Sequence, residues 1–165
     1  MTFRGNAMNP SCDAPGCHAR AENPANGKDY CDKHIDGRRP RRVTYVAHCL
    51  SAPTRAGIEE NRADAARWAA FLGMHFSVAP ECSWIVLTGM WDETPENRAR
   101  GLECDLALVE RCDELVMVGP RVSEGMMLES EHARKHGKPV YDLTRLSMDP
   151  ETVALAWVPG EVKAG

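Results

Sequence analysis

At 165 residues, the chain is long enough for one domain with a proper core plus a small appendage. Its 43% hydrophobic and 27% charged residues are ordinary for a globular protein, and no apolar run approaches the length of a membrane span. The opening MTFRGNAMNP lacks the apolar core of a signal peptide, so the cytoplasm is the expected compartment. The net charge of -4 divides unevenly: residues 1–42 hold 8 Lys/Arg against 5 Asp/Glu, whereas residues 43–165 hold 12 against 19. An acidic body argues against duplex nucleic acid as a partner, because such binding rests on neutralising phosphates.

The first 36 residues have almost no hydrophobic periodicity and are rich in Gly, Pro, Asn and Asp. Such a segment cannot bury enough apolar surface to fold unaided. Cys12, Cys17, Cys31 and His34 supply two ligand pairs separated by a loop, a donor set that Zn2+ accepts tetrahedrally. With no open position, that site is structural rather than catalytic. The other four of the seven cysteines, Cys49, Cys82, Cys104 and Cys112, are scattered, which fits a reduced chain with one metal site better than a disulfide framework. The expected organisation is a zinc knuckle at 1–36, a basic linker at 37–42 and an α/β domain at 43–165. GRRPRR in the linker offers phosphate contacts, although such a run is more often solvated.

VTYVAHCL, Val43–Leu50, is a β-branched apolar run suited to a buried parallel strand. Ile58–Leu72 follows with Ile58, Ala65, Trp68, Ala69 and Leu72 on one helical face. HFSVAP reads as a second strand ending at Pro80, and Ile85–Leu87 is ambiguous between strand and helix. A helix opened by an acidic turn covers ENRARGLECDLALVERC. Glu114–Gly119 is a third strand, and a Ser-x-Gly turn leads into a helix that ends at Gly137 before the strand in GKPVYDL. Alternating strands and helices imply a parallel sheet with helices on both faces. Ligands of such folds bind beyond the carboxyl ends of the strands, so the segments around His48–Ser51, Pro80–Trp84 and Gly119–Gly125 should converge on one cleft.

Two carboxylates stand where apolar residues are expected. Asp105 falls inside the stripe of Leu102, Leu106 and Val109 rather than beside Glu103 and Glu110. Burial there would raise its pKa and make it a proton donor; bonding to backbone or to Arg98 is the alternative. Glu129 lies near the face of Met126 and Ala133, one turn into a helix that Ser123 can cap and where Gly125 allows close approach of a ligand. The free N–H groups at that helix start favour an anion such as phosphate.

From Tyr45 to Leu143 the sequence resembles the nucleoside 2-deoxyribosyltransferase-like superfamily, which includes nucleoside 5′-monophosphate N-glycoside hydrolases. The carrying features are YVAHCLSAP, EENRADAARWAAFL, ECDLALVERCDELVMVG, Ser123-x-Gly125-x3-Glu129 and HARKHGKPVYDL. The resemblance implies a flavodoxin-like or Rossmann-like fold. It also implies Glu129 acting at C1′ of a nucleoside or nucleotide sugar, Asp105 acting on the base, no organic cofactor and a homodimer. Tyr45, His48, Ser51, Trp84, Ser123, Gly125 and Met126 are the matching substrate-binding candidates. His48-Cys49 departs from the glycine that catalytic members carry after the first strand, and Glu124 adds a negative charge beside Ser123. Both departures leave room for a domain that binds a nucleotide without cleaving it and is coupled to a partner through the knuckle.

Protein purified without chelators should retain about one zinc per chain after exhaustive dialysis, set by one four-ligand site. Metal analysis that finds none would remove the knuckle.

Overall fold

The computed structural model describes residues 23–25, 28–30, 41–92 and 94–157. The chain divides into two units, Met1–Arg41 and Arg42–Gly165. In the first, β1 (Asn23–Ala25) pairs antiparallel with β2 (Lys28–Tyr30). Cys12, Cys17, Cys31 and His34 lie outside the described residues, as does most of the 1–36 segment.

Over its described residues, the second unit is an α/β domain with a four-stranded, all-parallel sheet and five helices, consistent with a Rossmann-like fold. Its elements are β3 (Arg42–His48), α1 (Arg55–His75), β4 (Val78–Glu81), α2 (Trp84–Met90), α3 (Pro95–Arg111), β5 (Glu114–Val118), α4 (Glu124–Lys135), β6 (Val140–Asp142) and α5 (Pro150–Ala156). The sheet order is β4-β3-β5-β6, so strand order reverses between β3 and β5. Among the described residues, no helix is long and apolar enough to cross a membrane.

Local chemistry explains the helix starts. Thr54 accepts a hydrogen bond from the Gly57 N–H at 3.1 Å and caps α1, which therefore begins earlier than the apolar stripe from Ile58 suggests. Thr94 caps α3 with Pro95 at the first helical position, and Asp149 caps α5 ahead of Pro150 in the same way. Ile85–Leu87 resolves as helix. β4 ends at Glu81 and α2 begins at Trp84, which leaves no room for the crossover that another parallel strand would need.

The period of two along β3 and β5 sorts their side chains between two cores. Tyr45, Ala47, Leu115 and Met117 pack with Trp84 of α2, Val109 of α3, and Met126 and Ala133 of α4. Val46, Val116 and Val118 pack with Trp68 and Leu72 of α1, Val153 of α5, and Trp157. Helices thus cover both faces. At the amino end of the sheet Glu114 is buried, and accepts hydrogen bonds from Thr44 Oγ1 at 2.9 Å and Arg42 Nε at 3.3 Å. That pairing suits the register, which sets Thr44 opposite Glu114.

Beyond the opposite end, Gly119 takes φ +96°, and a Cβ there would collide with His48 Nε2. Gly119→Ala therefore combines an unfavourable backbone with overpacking against a fixed ring. It should destabilise the domain by about 2–4 kcal/mol in chemical denaturation. A loss below about 0.5 kcal/mol, the range of neutral surface changes, would show that neither constraint operates.

Candidate active site

At the carboxyl ends of β3 and β5, a cavity of about 430 Å³ opens between α2, α3 and the start of α4. Its size is that of a small-molecule site, and its position is the one expected at a reversal of strand order. Asp105, Glu129, Ser123, Gly125, His48 and Trp84 all border it.

Tyr45 lies beneath this cavity. It is fully buried on β3, and its hydroxyl donates a 3.0 Å hydrogen bond to Glu129 Oε1. Glu129 is itself buried, because α4 turns Met126, Glu129, Ser130 and Ala133 toward the protein interior. Burial drives its pKa up to about 8, and the neighbouring Asp105 charge pushes the same way. The Tyr45 hydrogen bond partly offsets both. On α3, Asp105 is raised by burial to about 6, again opposed by Tyr45. One of its oxygens, Oδ1, is buried without a hydrogen-bond partner among the described residues. The Tyr45 phenol is held well above its ordinary pKa, by burial first and then by the two carboxylates, so it remains a hydroxyl. At neutral pH the pair therefore holds one proton, on the more deeply buried Glu129, with Asp105 ionised.

The remaining sequence candidates occupy different positions. Ser123 caps α4, its Oγ accepting from the Met126 N–H at 3.4 Å, and a Cβ at Gly125 would meet the Ser123 Oγ at an unstrained 3.9 Å. Met126 is buried, yet reaches the cavity wall. Trp84 presents its indole there while its Nε1 donates to the Val46 carbonyl at 3.1 Å. His48 has both ring nitrogens engaged: Nδ1 lies 2.9 Å from the Cys49 carbonyl and Nε2 lies 2.9 Å from Asp64 Oδ2. Ser51 is not part of the wall. Its hydroxyl accepts from Arg98 at 2.6 Å and its carbonyl from Arg121 at 2.7 Å.

Sequence reasoning missed the α2–α3 wall, where Leu87, Thr88, Asn97 and Arg98 face the cavity. The Thr94-Pro95 start of α3 could have pointed to Asn97 and Arg98, since its first turn must face the same end of the sheet as the other helix starts. Asp64 was also missed. It precedes Ala65 on the apolar side of α1, and that placement is the signal of a buried polar partner.

Residues 45–143 match the model of a family described as a domain of unknown function (DUF7768). The chain belongs to that family. The DUF7768 match runs from Tyr45 to the residue after β6, so it contains Tyr45, Asp105 and Glu129 and leaves out the first unit. Comparison with curated proteins finds no match.

The two raised carboxyls have a thermodynamic signature. Each titrates higher in the folded than in the unfolded chain. Their stabilising contribution is therefore complete below about pH 4 and is lost as pH rises through about 6 and then about 8. Glu129→Gln mimics the neutral carboxyl and still accepts from Tyr45. Its denaturation curve should match wild type in acid, and the variant should be the more stable chain above about pH 8, by on the order of a few kcal/mol. Parallel pH profiles for the two proteins would contradict the assignment of Glu129 as a buried titrating group.

Proposed function

We propose that this DUF7768 domain cleaves or exchanges the N-glycosidic bond of a nucleoside or nucleoside 5′-monophosphate. One observation carries the reading: two carboxyls from different helices, both held above the ordinary carboxylate range by burial, border one cavity, and a buried tyrosine hydroxyl donates to one of them. Breaking a C–N glycosidic bond needs an ionised carboxylate at C1′ and an acid for the departing base. The strand order, second-first-third-fourth counting from β3, supports the flavodoxin-like variant of the fold. Together with the motif order, it supports membership of the nucleoside 2-deoxyribosyltransferase-like superfamily.

In this mechanism Glu129 attacks C1′ as the C1′–N bond breaks, and the bonding pair leaves with the base. Asp105 protonates the base nitrogen. Water, or a second base, then attacks C1′, gives up its proton to the pair and frees Glu129. The resting protonation is the reverse of the reacting one, so the proton must pass from Glu129 to Asp105 when substrate binds. Tyr45 is suited to carry it. A hydroxyl can accept from one carboxyl while donating to the other. A nucleobase whose ring nitrogen accepts a hydrogen bond from protonated Asp105 Oδ1 would give that oxygen a partner and favour its protonated form.

The ends of the cavity differ in charge. Glu124 stands in the first turn of α4 and borders the cavity, which disfavours a phosphate on the Ser123–Gly125 turn. Arg98 and Arg121 instead meet at Ser51, and they are the cations that a 5′-phosphate would approach. Trp84 and Trp91 both border the cavity and offer aromatic surface to a base. The Cys12, Cys17, Cys31 and His34 set is proposed to bind Zn2+ in a structural role, independent of this chemistry.

Purified protein incubated with ribo- and deoxyribonucleosides and their 5′-monophosphates should release free base, or exchange it with an added second base. Glu129→Gln should abolish turnover while leaving the circular-dichroism spectrum unchanged, and Tyr45→Phe should slow it by about 100- to 10,000-fold, the scale of proton-transfer assistance. Binding without turnover by wild type would overturn the enzymatic reading and leave a nucleotide-binding module.

A further inference from the structure

On the far side of α3 and α4 from the cavity mouth, a second group of side chains converges. His132 in α4 and His136, the C-cap of that helix, stand about one turn apart, with ring centroids 4.3 Å from each other. Glu110, near the end of α3, reaches across to both: its Oε1 is 2.9 Å from His132 Nε2 and 3.6 Å from His136 Nε2. One ligand atom from each of the three residues lies within 4.8 Å of the others.

The His136 ring orientation leaves Nε2 as the ring atom that faces Glu110. Its Nδ1 is 3.0 Å from the His132 carbonyl, which can only accept, so Nδ1 carries the hydrogen. In the singly protonated ring, Nε2 therefore directs a lone pair toward the Glu110 carboxylate. Either a second proton on Nε2, which makes an ion pair, or a metal cation can stand between the two atoms. A backbone carbonyl that fixes the tautomer in this way is the usual support for a metal-ligating imidazole.

We propose that Glu110, His132 and His136 form a binding site for a divalent cation of the zinc class. Two imidazoles and a carboxylate are a donor set for zinc, nickel or copper rather than for magnesium or calcium, which take oxygen ligands. Bonds of about 2.0–2.2 Å in a tetrahedral arrangement need ligand atoms roughly 3.4 Å apart. The short Glu110–His132 and Glu110–His136 distances already approach that value, and rotation of partly exposed side chains closes the rest. Three protein ligands leave a fourth position for water. Arg111 is the neighbouring charge that opposes a cation here; it also lowers the Glu110 pKa, whose largest cause is the His132 hydrogen bond.

The site would clip α3 to α4, the two helices that carry Asp105 and Glu129. Glu110 lies five residues beyond Asp105, and His132 three beyond Glu129. A metal there braces the carboxyl pair without touching it, and the proposal does not depend on the chemistry of the cavity.

Zinc uptake by the full chain measures the site directly, by equilibrium dialysis of wild type against the His132→Gln, His136→Gln double variant. The His132, His136 and Glu110 side chains are 23%, 43% and 44% exposed, so these substitutions leave the core intact. Any zinc at the cysteines is the same in both proteins and cancels. Wild type should bind one equivalent more than the double variant and gain thermal stability with added Zn2+ that the variant does not. Glu110→Gln should weaken that extra equivalent by at least about tenfold, since even the loss of an outer-shell partner costs that much. Equal zinc uptake by wild type and double variant would overturn the proposal.

Discussion

Two carboxyl groups cannot both ionise beside each other in a water-poor interior, and this constraint organises the candidate site. Asp105 and Glu129 each lose solvation on folding, and the Asp105 charge further raises the cost of charging Glu129. One proton settles the conflict. The Tyr45 hydroxyl, anchored on the central strand and too costly to ionise, supplies the hydrogen bond that keeps Glu129 from being an uncompensated buried acid. The arrangement costs stability at high pH. A fold that retains such a cost at the switch point of its sheet, beside a cavity large enough for a small molecule, has the features of a site rather than of a structural core.

The parallel sheet makes the meeting of these groups possible. Tyr45 and Glu129 are 84 residues apart in sequence. They meet because β3 and β5 pair in register from Thr44–Glu114 to His48–Val118, and α4 returns over the face to which Tyr45 points. Across the sheet, His48 and Gly119 form a matching constraint. The ring occupies the space where a Cβ at Gly119 would stand, and both its nitrogens are committed to Cys49 and Asp64. This locks the carboxyl end of β3 against the turn after β5 and so fixes the floor of the cavity. Phe76 and Tyr141 meet Trp157 on the opposite face, where α5 closes the second core.

Much of this was legible in the sequence because burial leaves periodic traces. The apolar run from Val43, the stripe on α1 and the turn at Gly137 mark the elements. Asp105 and Glu129 could be singled out because each interrupts an otherwise apolar helical face. Less was legible where the signal is not periodic. The short α2 run is apolar enough for a strand or a helix, and only its closeness to β4, which leaves no room for a crossover to another parallel strand, decides it. The His48–Asp64 pair joins a strand end to a helix across 16 residues, with no local pattern to announce it. The resting place of the proton was beyond sequence reasoning as well. It depends on which carboxyl is more deeply desolvated, and that depth is set by packing between α3 and α4.

Infrared spectroscopy of the carboxyl stretch, in wild type and in Glu129→Gln at neutral pH, tests the shared-proton site most directly. A buried, protonated carboxyl band should be present in wild type at pH 7, absent from the variant, and lost from wild type as pH rises through about 8. A wild-type spectrum at pH 7 with ionised carboxylates alone would contradict it.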